Sequence, residues 1–145
     1  MDLDKYYLSI AAAVAARSSC LKKHYGAVIV KNNEVLSSGY NGPPRGEDHC
    51  TYCTKVGEDK DIGEYSTCPA VHAEQNAIIS AARRDMIGST LYLAGYRPTS
   101  GEIVTAEPCE ICLRLIKNSG IDRVVNANGT LYQRDDNGIL RRVRN

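Results

Sequence analysis

The 145-residue chain has no tryptophan and no phenylalanine, so nine tyrosines make up its whole aromatic complement. It has almost no excess charge: eighteen basic against seventeen acidic residues leave a formal +1. That balance removes the global field with which a protein grips extended nucleic acid or an anionic membrane. It also has no long apolar run, since LSIAAAVAA is broken by Arg17 and is too short to span a bilayer. The opening MDLDKYY carries two acids and no basic cluster, so it does not read as a secretory signal, and a cytosolic location is expected. No internal repeat, low-complexity tract or linker divides the chain, and its length suits one domain over residues 1–145. What the chain does have is six cysteines. An even count suits three disulfides, but those belong to oxidising compartments and core-poor domains. In a cytosolic chain of this size, cysteines read first as metal ligands or catalytic thiolates.

Leu3, Tyr6, Tyr7, Ile10, Ala13 and Val14 recur at helical spacing behind Asp2, which predicts an N-capped amphipathic helix to about Ala16. The runs GAVIVK and EVLSSGY flank Asn32 and Asn33, a pair that tolerates positive φ, and predict a hairpin. From Asn41 to Pro69 the pattern dissolves into Gly, Pro, Asp and Cys. A loop of that length inside a small domain is commonly functional or held by something other than a core. HAEQNAIISAARR predicts one helix ending before Gly88, STLYLAG a strand, EPCEICLRLIKNSG a helix entered at Pro108 and stopped at Gly120, and IDRVVNA a further strand. This order implies a three-layer α/β domain in which the last two helix-linked strands run parallel. The tail GTLYQRDDNGILRRVRN carries a weak hairpin signal around Asn137 and Gly138.

Two helix starts carry the chemistry. One opens with His72, Ala73 and Glu74, and the other presents Cys109 and Cys112. Cysteines at i and i+3 share a helical face, and a helix N-terminus favours thiolate over thiol. With one imidazole they form a three-donor zinc site that leaves the fourth position to water, as catalytic zinc requires. Zinc lowers the pKa of such a water toward neutrality, and Glu74 beside it can move the proton. H-x-E with P-C-x-x-C is an established signature of zinc-dependent nucleobase deamination. The competing arrangement is structural: Cys50 and Cys53 form a second CxxC, and two such knuckles could clasp one zinc without His72 or Glu74.

With SSCLKKHYGAVIV, VLSSGYNGPPRG followed by HC, CPAVHAEQNAI, TLYLAG, EPCEIC and LIKNSGIDRVV, the chain resembles the deoxycytidylate (dCMP) deaminase branch of the cytidine deaminase superfamily along nearly its whole length. GYNGPPRG and HC point to that branch, and His72 stands where free-nucleoside deaminases typically carry Cys. The resemblance implies a three-layer α/β/α fold with a central mixed sheet. It implies a catalytic Zn2+ on His72, Cys109 and Cys112, Glu74 as proton shuttle, and substrate contacts at Asn41 and Ala73. The substrate would be dCMP, the products dUMP and ammonia, and the role the supply of thymidylate synthesis. Gly39, Tyr40, Asn41 and Gly42 would also meet a regulatory nucleotide, dCTP activating with Mg2+ and dTTP inhibiting, through a homo-oligomer that is often a hexamer. Amides freed by Gly39 and Gly42 offer such a phosphate a cradle. For Asn41 the plainer reading, a turn former in an Asn-Gly pair, stays open.

In some members a second, structural zinc sits where Cys20, Cys50 and Cys68 fall, and Cys53 would complete the set, with His49 as a competing ligand. The other reading is four small buried thiols. Lys22, Lys23 and Arg45 suit a 5′-phosphate or a solvated surface, and Arg134, Arg141, Arg142 and Arg144 suit a neighbour's phosphate or an ordinary charged end. Tyr92, Tyr96 and Tyr132 are stacking candidates, with Tyr92 better suited to packing. Family members often continue past Ala127 with a further helix and strand, so the last sheet strand and the pocket wall it supplies are open here. Rival activities are a deaminase of a modified deoxycytidylate, a nucleoside or a tRNA base, and a non-catalytic zinc-stabilised module. Near-neutral charge opposes the tRNA version, and an intact Glu74 opposes the module.

Overall fold

A computed structural model describes residues 1–53 and 68–144. Helix α1 (Leu3–Ala15) is capped by Asp2, whose carboxylate accepts from the Lys5 N–H. Strands β1 (His24–Lys31) and β2 (Glu34–Tyr40) form the expected hairpin, and Asn32 and Asn33 take φ of 52° and 61° at its turn. Then come α2 (Ala73–Ile79), α3 (Arg83–Met86), β3 (Thr90–Tyr96), β4 (Ile103–Val104), α4 (Glu110–Ser119), β5 (Arg123–Asn126), β6 (Gly129–Arg134) and β7 (Leu140–Arg142). Gly120 closes α4 at φ 91°, a left-handed C-cap that favours glycine. One difference from the sequence expectation is the helix after His72. It breaks into α2 and α3 at Ser80–Ala82, a bend that lets both Ala81 and Met86 pack against the core.

The strands form one mixed sheet in the order β2-β1-β3-β5-β6-β7, with β4 pairing off β3. β3 and β5 run parallel, as the intervening helix requires, and the other pairs are antiparallel. Alternate residues feed two cores. Val28, Val30, Tyr92 and Val125 pack on Tyr7 and Ala11 of α1, whereas Ala27, Ile29, Leu91, Leu93 and Val124 pack on Ala73 and Ala77 of α2 and Ile116 of α4. The result is α/β/α layering with the two chemistry-bearing helices on one face. Close approach is built in by glycine on both faces. A Cβ on Gly26 would sit 2.0 Å from the Ala11 carbonyl oxygen, and one on Gly39 2.4 Å from that of Ala73.

Tyr92 serves packing, as its strand position suggests. Its ring lies 5.3 Å from that of Tyr7, and its hydroxyl donates to Asp4, which also accepts a two-pronged bond from Arg123. Burial, with the Asp4 carboxylate beside it, pushes the Tyr92 phenol up to about 12. The C-terminal tail supplies the sheet edge that the sequence left open: β6 pairs with β5, β7 with β6, and Gly138 takes the left-handed turn at φ 82°. Its basic residues take partners from the same chain. Arg134 bonds the Ile121 and Gly138 carbonyls, and Arg141 pairs with Asp135. Among the described residues no helix is long and apolar enough to cross a membrane.

Candidate metal centre and active site

The starts of α2 and α4 meet on one face of the sheet. His72 precedes α2, and its backbone N–H is held by the Gln75 side chain at 2.7 Å, a capping interaction that orients the imidazole. The spacing of Gln three residues after the N-cap is the sequence signal for this bond. Cys109 is the N-cap of α4, and its sulfur accepts from the Cys112 N–H at 3.4 Å. His72 Nδ1 lies 3.2 Å from the Cys112 sulfur and 3.5 Å from that of Cys109. These three donors lie within 4.8 Å of one another, and among the described residues no other group of three does so. Cys50 and Cys53 are therefore not the partners of this pair, and the two-knuckle clasp is not formed. One nitrogen and two sulfurs at this spacing suit zinc.

Glu74 is 7% exposed on the first turn of α2 and bonds Cys112 through its side chain. Burial raises its carboxyl pKa, partly offset by a bond to its own backbone and by the positive potential of His72. The Cys112 thiol is pushed up strongly, first by its hydrogen bond with Cys109, then by complete burial and the charge of Glu74. The helix N-terminus thus does not by itself make Cys112 a thiolate, because these neighbours outweigh it. A cation held by the three donors would supply the missing stabilisation.

A cavity of about 330 Å³ opens onto this cluster, a volume suited to one small ligand. Its walls include His72, Ala73, Glu74, Asn41, Tyr25, Lys22 and Lys23, with Ala106 and Glu107 on the α4 side. The Asn41 side chain lies on the wall with both ends engaged: Oδ1 accepts from the Tyr25 N–H at 2.8 Å, and Nδ2 donates to the Lys23 carbonyl at 3.0 Å. It shapes the cavity by fixing that segment.

A second hollow, about 470 Å³, is lined by Gly39, Tyr40 and Gly42 together with Arg17, Arg45 and Asn76. The amide cradle expected there is absent. The Gly42 N–H donates to the Val71 carbonyl at 3.1 Å, and Gly39 sits in the β1–β2 ladder packed against α2. Both glycines serve close approach and chain closure. Cys20, Cys53 and Cys68 line the first cavity. The Cys50 thiol is raised by burial and then by the charges of Cys68, Cys20 and Cys53, so those three lie within electrostatic range of Cys50. No three of them come within the distance that unites the first cluster. The loop between Cys53 and Cys68 lies outside the described residues.

A His-Cys-Cys donor set beside a buried glutamate, on a mixed sheet layered between helices, defines a zinc-dependent deaminase. The chain belongs to that class: the family described as "Cytidine and deoxycytidylate deaminase zinc-binding region" matches residues 1–128. Within it, the chain is similar to several deoxycytidylate deaminases. The enzyme of Mycobacterium phage D29 is 44% identical over 130 residues, covering 86% of this chain and 93% of the relative. That of Schizosaccharomyces pombe is 36% identical over 125 residues, covering 84% of this chain and 36% of the relative, so the chain spans little more than a third of that longer protein. The dCMP deaminase of cyanophage S-TIM5, solved in complex with dCMP and dUMP, superposes with a TM-score of 0.61 at 26% identity, covering 87% of this chain and 82% of the other.

Proposed function

We propose that this protein hydrolyses dCMP to dUMP and ammonia in the cytoplasm, as one domain feeding thymidylate synthesis. The observation that carries the reading is Glu74, buried beside the His72–Cys109–Cys112 cluster on the wall of the cavity of about 330 Å³. A purely structural metal site has no use for that carboxylate. The relatives named deoxycytidylate deaminase and the dCMP-bound cyanophage structure support the choice of substrate.

His72, Cys109 and Cys112 would hold Zn2+, which when bound lowers the pKa of its water toward neutrality. Glu74 takes a proton from the attacking water and passes it to the pyrimidine ring nitrogen N3. The hydroxide oxygen then bonds C4, its remaining proton moves through Glu74 to N4, and the C4–N4 bond breaks as C4=O forms, so that N4 departs as ammonia and N3 keeps its proton. The raised pKa of Glu74 suits a group that must hold as well as release a proton. Ala73, fully buried on the cavity wall, would bound the base, and Asn41, fixed by its bonds to Tyr25 and Lys23, lines the same cavity. The test is ammonia release from dCMP, set against CMP, dCTP, deoxycytidine and 5-substituted dCMP.

Two finer readings go with this one. The hollow at Gly39–Gly42, with Arg17 and Arg45 on its wall, would receive dCTP with Mg2+ as activator or dTTP as inhibitor in a homo-oligomer such as a hexamer. Side chains rather than glycine amides would carry that contact. The second reading is a structural zinc on Cys20, Cys50, Cys53 and Cys68, supported by their electrostatic proximity and by a long polar loop in need of a tether. Metal analysis is expected to give two zinc ions per chain, and Cys50→Ser one, with a lower Tm. One zinc in both proteins and an unchanged Tm would remove the second site.

A further inference from the structure

The family match ends at residue 128, yet the hairpin beyond it reaches back to the active-site cavity. Glu107 lines that cavity two residues before the donor Cys109. Its carboxylate receives both arms of the Arg142 guanidinium from β7, at 2.9 and 3.2 Å. Arg142 is itself held in place. Its guanidinium lies 5.7 Å from the centre of the Tyr132 ring and donates to that phenol, and its Nε donates to the Arg144 carbonyl at 2.6 Å. Arg144 in turn bonds the carbonyls of Thr130 and Gly129 and the side chain of Asn126. Asn126 is fully buried, and its Nδ2 donates to the carbonyl of Ala106 at 2.8 Å. Of two successive wall residues, Glu107 is thus tied to the tail by a bidentate ion pair, and Ala106 to the buried Asn126 of β5, which Arg144 of the tail in turn bonds.

We propose that Arg142 is a positioning and specificity residue, which holds the Glu107 carboxylate neutralised and against the tail so that an anionic nucleotide can occupy the cavity. The ligand class rests on the reading given above, a pyrimidine nucleotide with its phosphate. A lone exposed ion pair contributes little to folding, so the value of this one lies in what Glu107 would otherwise do. Released, the carboxylate is an unpaired negative charge on the wall of a site that takes a second negative group, and like charges at close range repel. The Asn126–Ala106 bond keeps the wall still, so that Arg142 meets Glu107 at a fixed distance.

The test uses zinc-loaded full-length protein and two readouts, the KM for dCMP and the calorimetric Kd for dUMP, the latter independent of turnover. Arg142→Met is expected to raise both about five- to tenfold, with kcat within about twofold and an unchanged zinc content. Adding Glu107→Gln to Arg142→Met is expected to return both to within about twofold of the wild-type protein, because the charge that Arg142 restrained is gone. Arg142→Met with unchanged KM and Kd would overturn the inference, as would a double variant no better than the single one. The outcomes separate from those of the activity itself. A wild-type protein that binds dUMP without deaminating dCMP would defeat the proposed reaction while leaving the binding cycle intact.

Discussion

Glu74→Gln is expected to lower kcat on dCMP by about a thousandfold, within the usual range for loss of a general acid–base group, while the protein keeps its zinc. The two effects separate because Glu74 lies outside the His72–Cys109–Cys112 donor group and glutamine is nearly isosteric with it. The amide can still fill the same place on the cavity wall, but it cannot take a proton from water and hand it to the ring. KM should change little, since the buried side chain acts on the reacting atoms more than on the sugar or phosphate. Metal content by mass spectrometry and turnover by ammonia release check both halves. Retained turnover would remove Glu74 from the mechanism, and lost zinc would make it a structural support of the metal site.

Cys112→Ser is expected to abolish turnover together with zinc retention, and zinc capture by the unaltered protein is expected to be steeply pH-dependent. The sign follows from the Cys112 thiol, which is pushed well above its ordinary value of 9.0 by Cys109, burial and Glu74. Without metal, the folded protein therefore holds that proton throughout the neutral range, and binding must expel it. Affinity then rises with pH and falls with acid. With the Cys112 proton released on binding, apparent affinity climbs by about one decade per pH unit between pH 6 and 8. Competition with a chelator of known proton linkage measures the slope. A flat profile would mean that the sulfurs are not the donors.

The reacting centre was legible in the sequence because its parts are local. His72 and Glu74 are two residues apart, Cys109 and Cys112 are one helical turn apart, and each pair needs only a helix start to aim it. The hairpin at Asn32–Asn33, the helix stop at Gly120 and the parallel strands around α4 follow from equally short-range rules. Other features depended on contacts distant in the chain. Nothing local predicts that Gly39 is needed because α2 presses on it, so a packing glycine passed for a phosphate cradle. The break at Ser80–Ala82 answers to where Ala81 and Met86 meet the core, which helical periodicity does not report. Asn126 and Arg142 carried no motif. Their partners Ala106 and Glu107 lie 20 and 35 residues away and are found only once the sheet is assembled. Asn41 shows the same limit from the other side, since its turn-forming identity gave no hint that its side chain would span Tyr25 and Lys23.

The most direct measurement is single-substrate turnover by purified, zinc-loaded protein with dCMP, with and without dCTP and Mg2+, following ammonia and dUMP together. The expected result is equimolar dUMP and ammonia, with deoxycytidine and CMP turned over far more slowly. Fully zinc-loaded protein that releases no ammonia from dCMP under either condition, or that prefers an unphosphorylated nucleoside, would contradict the assignment.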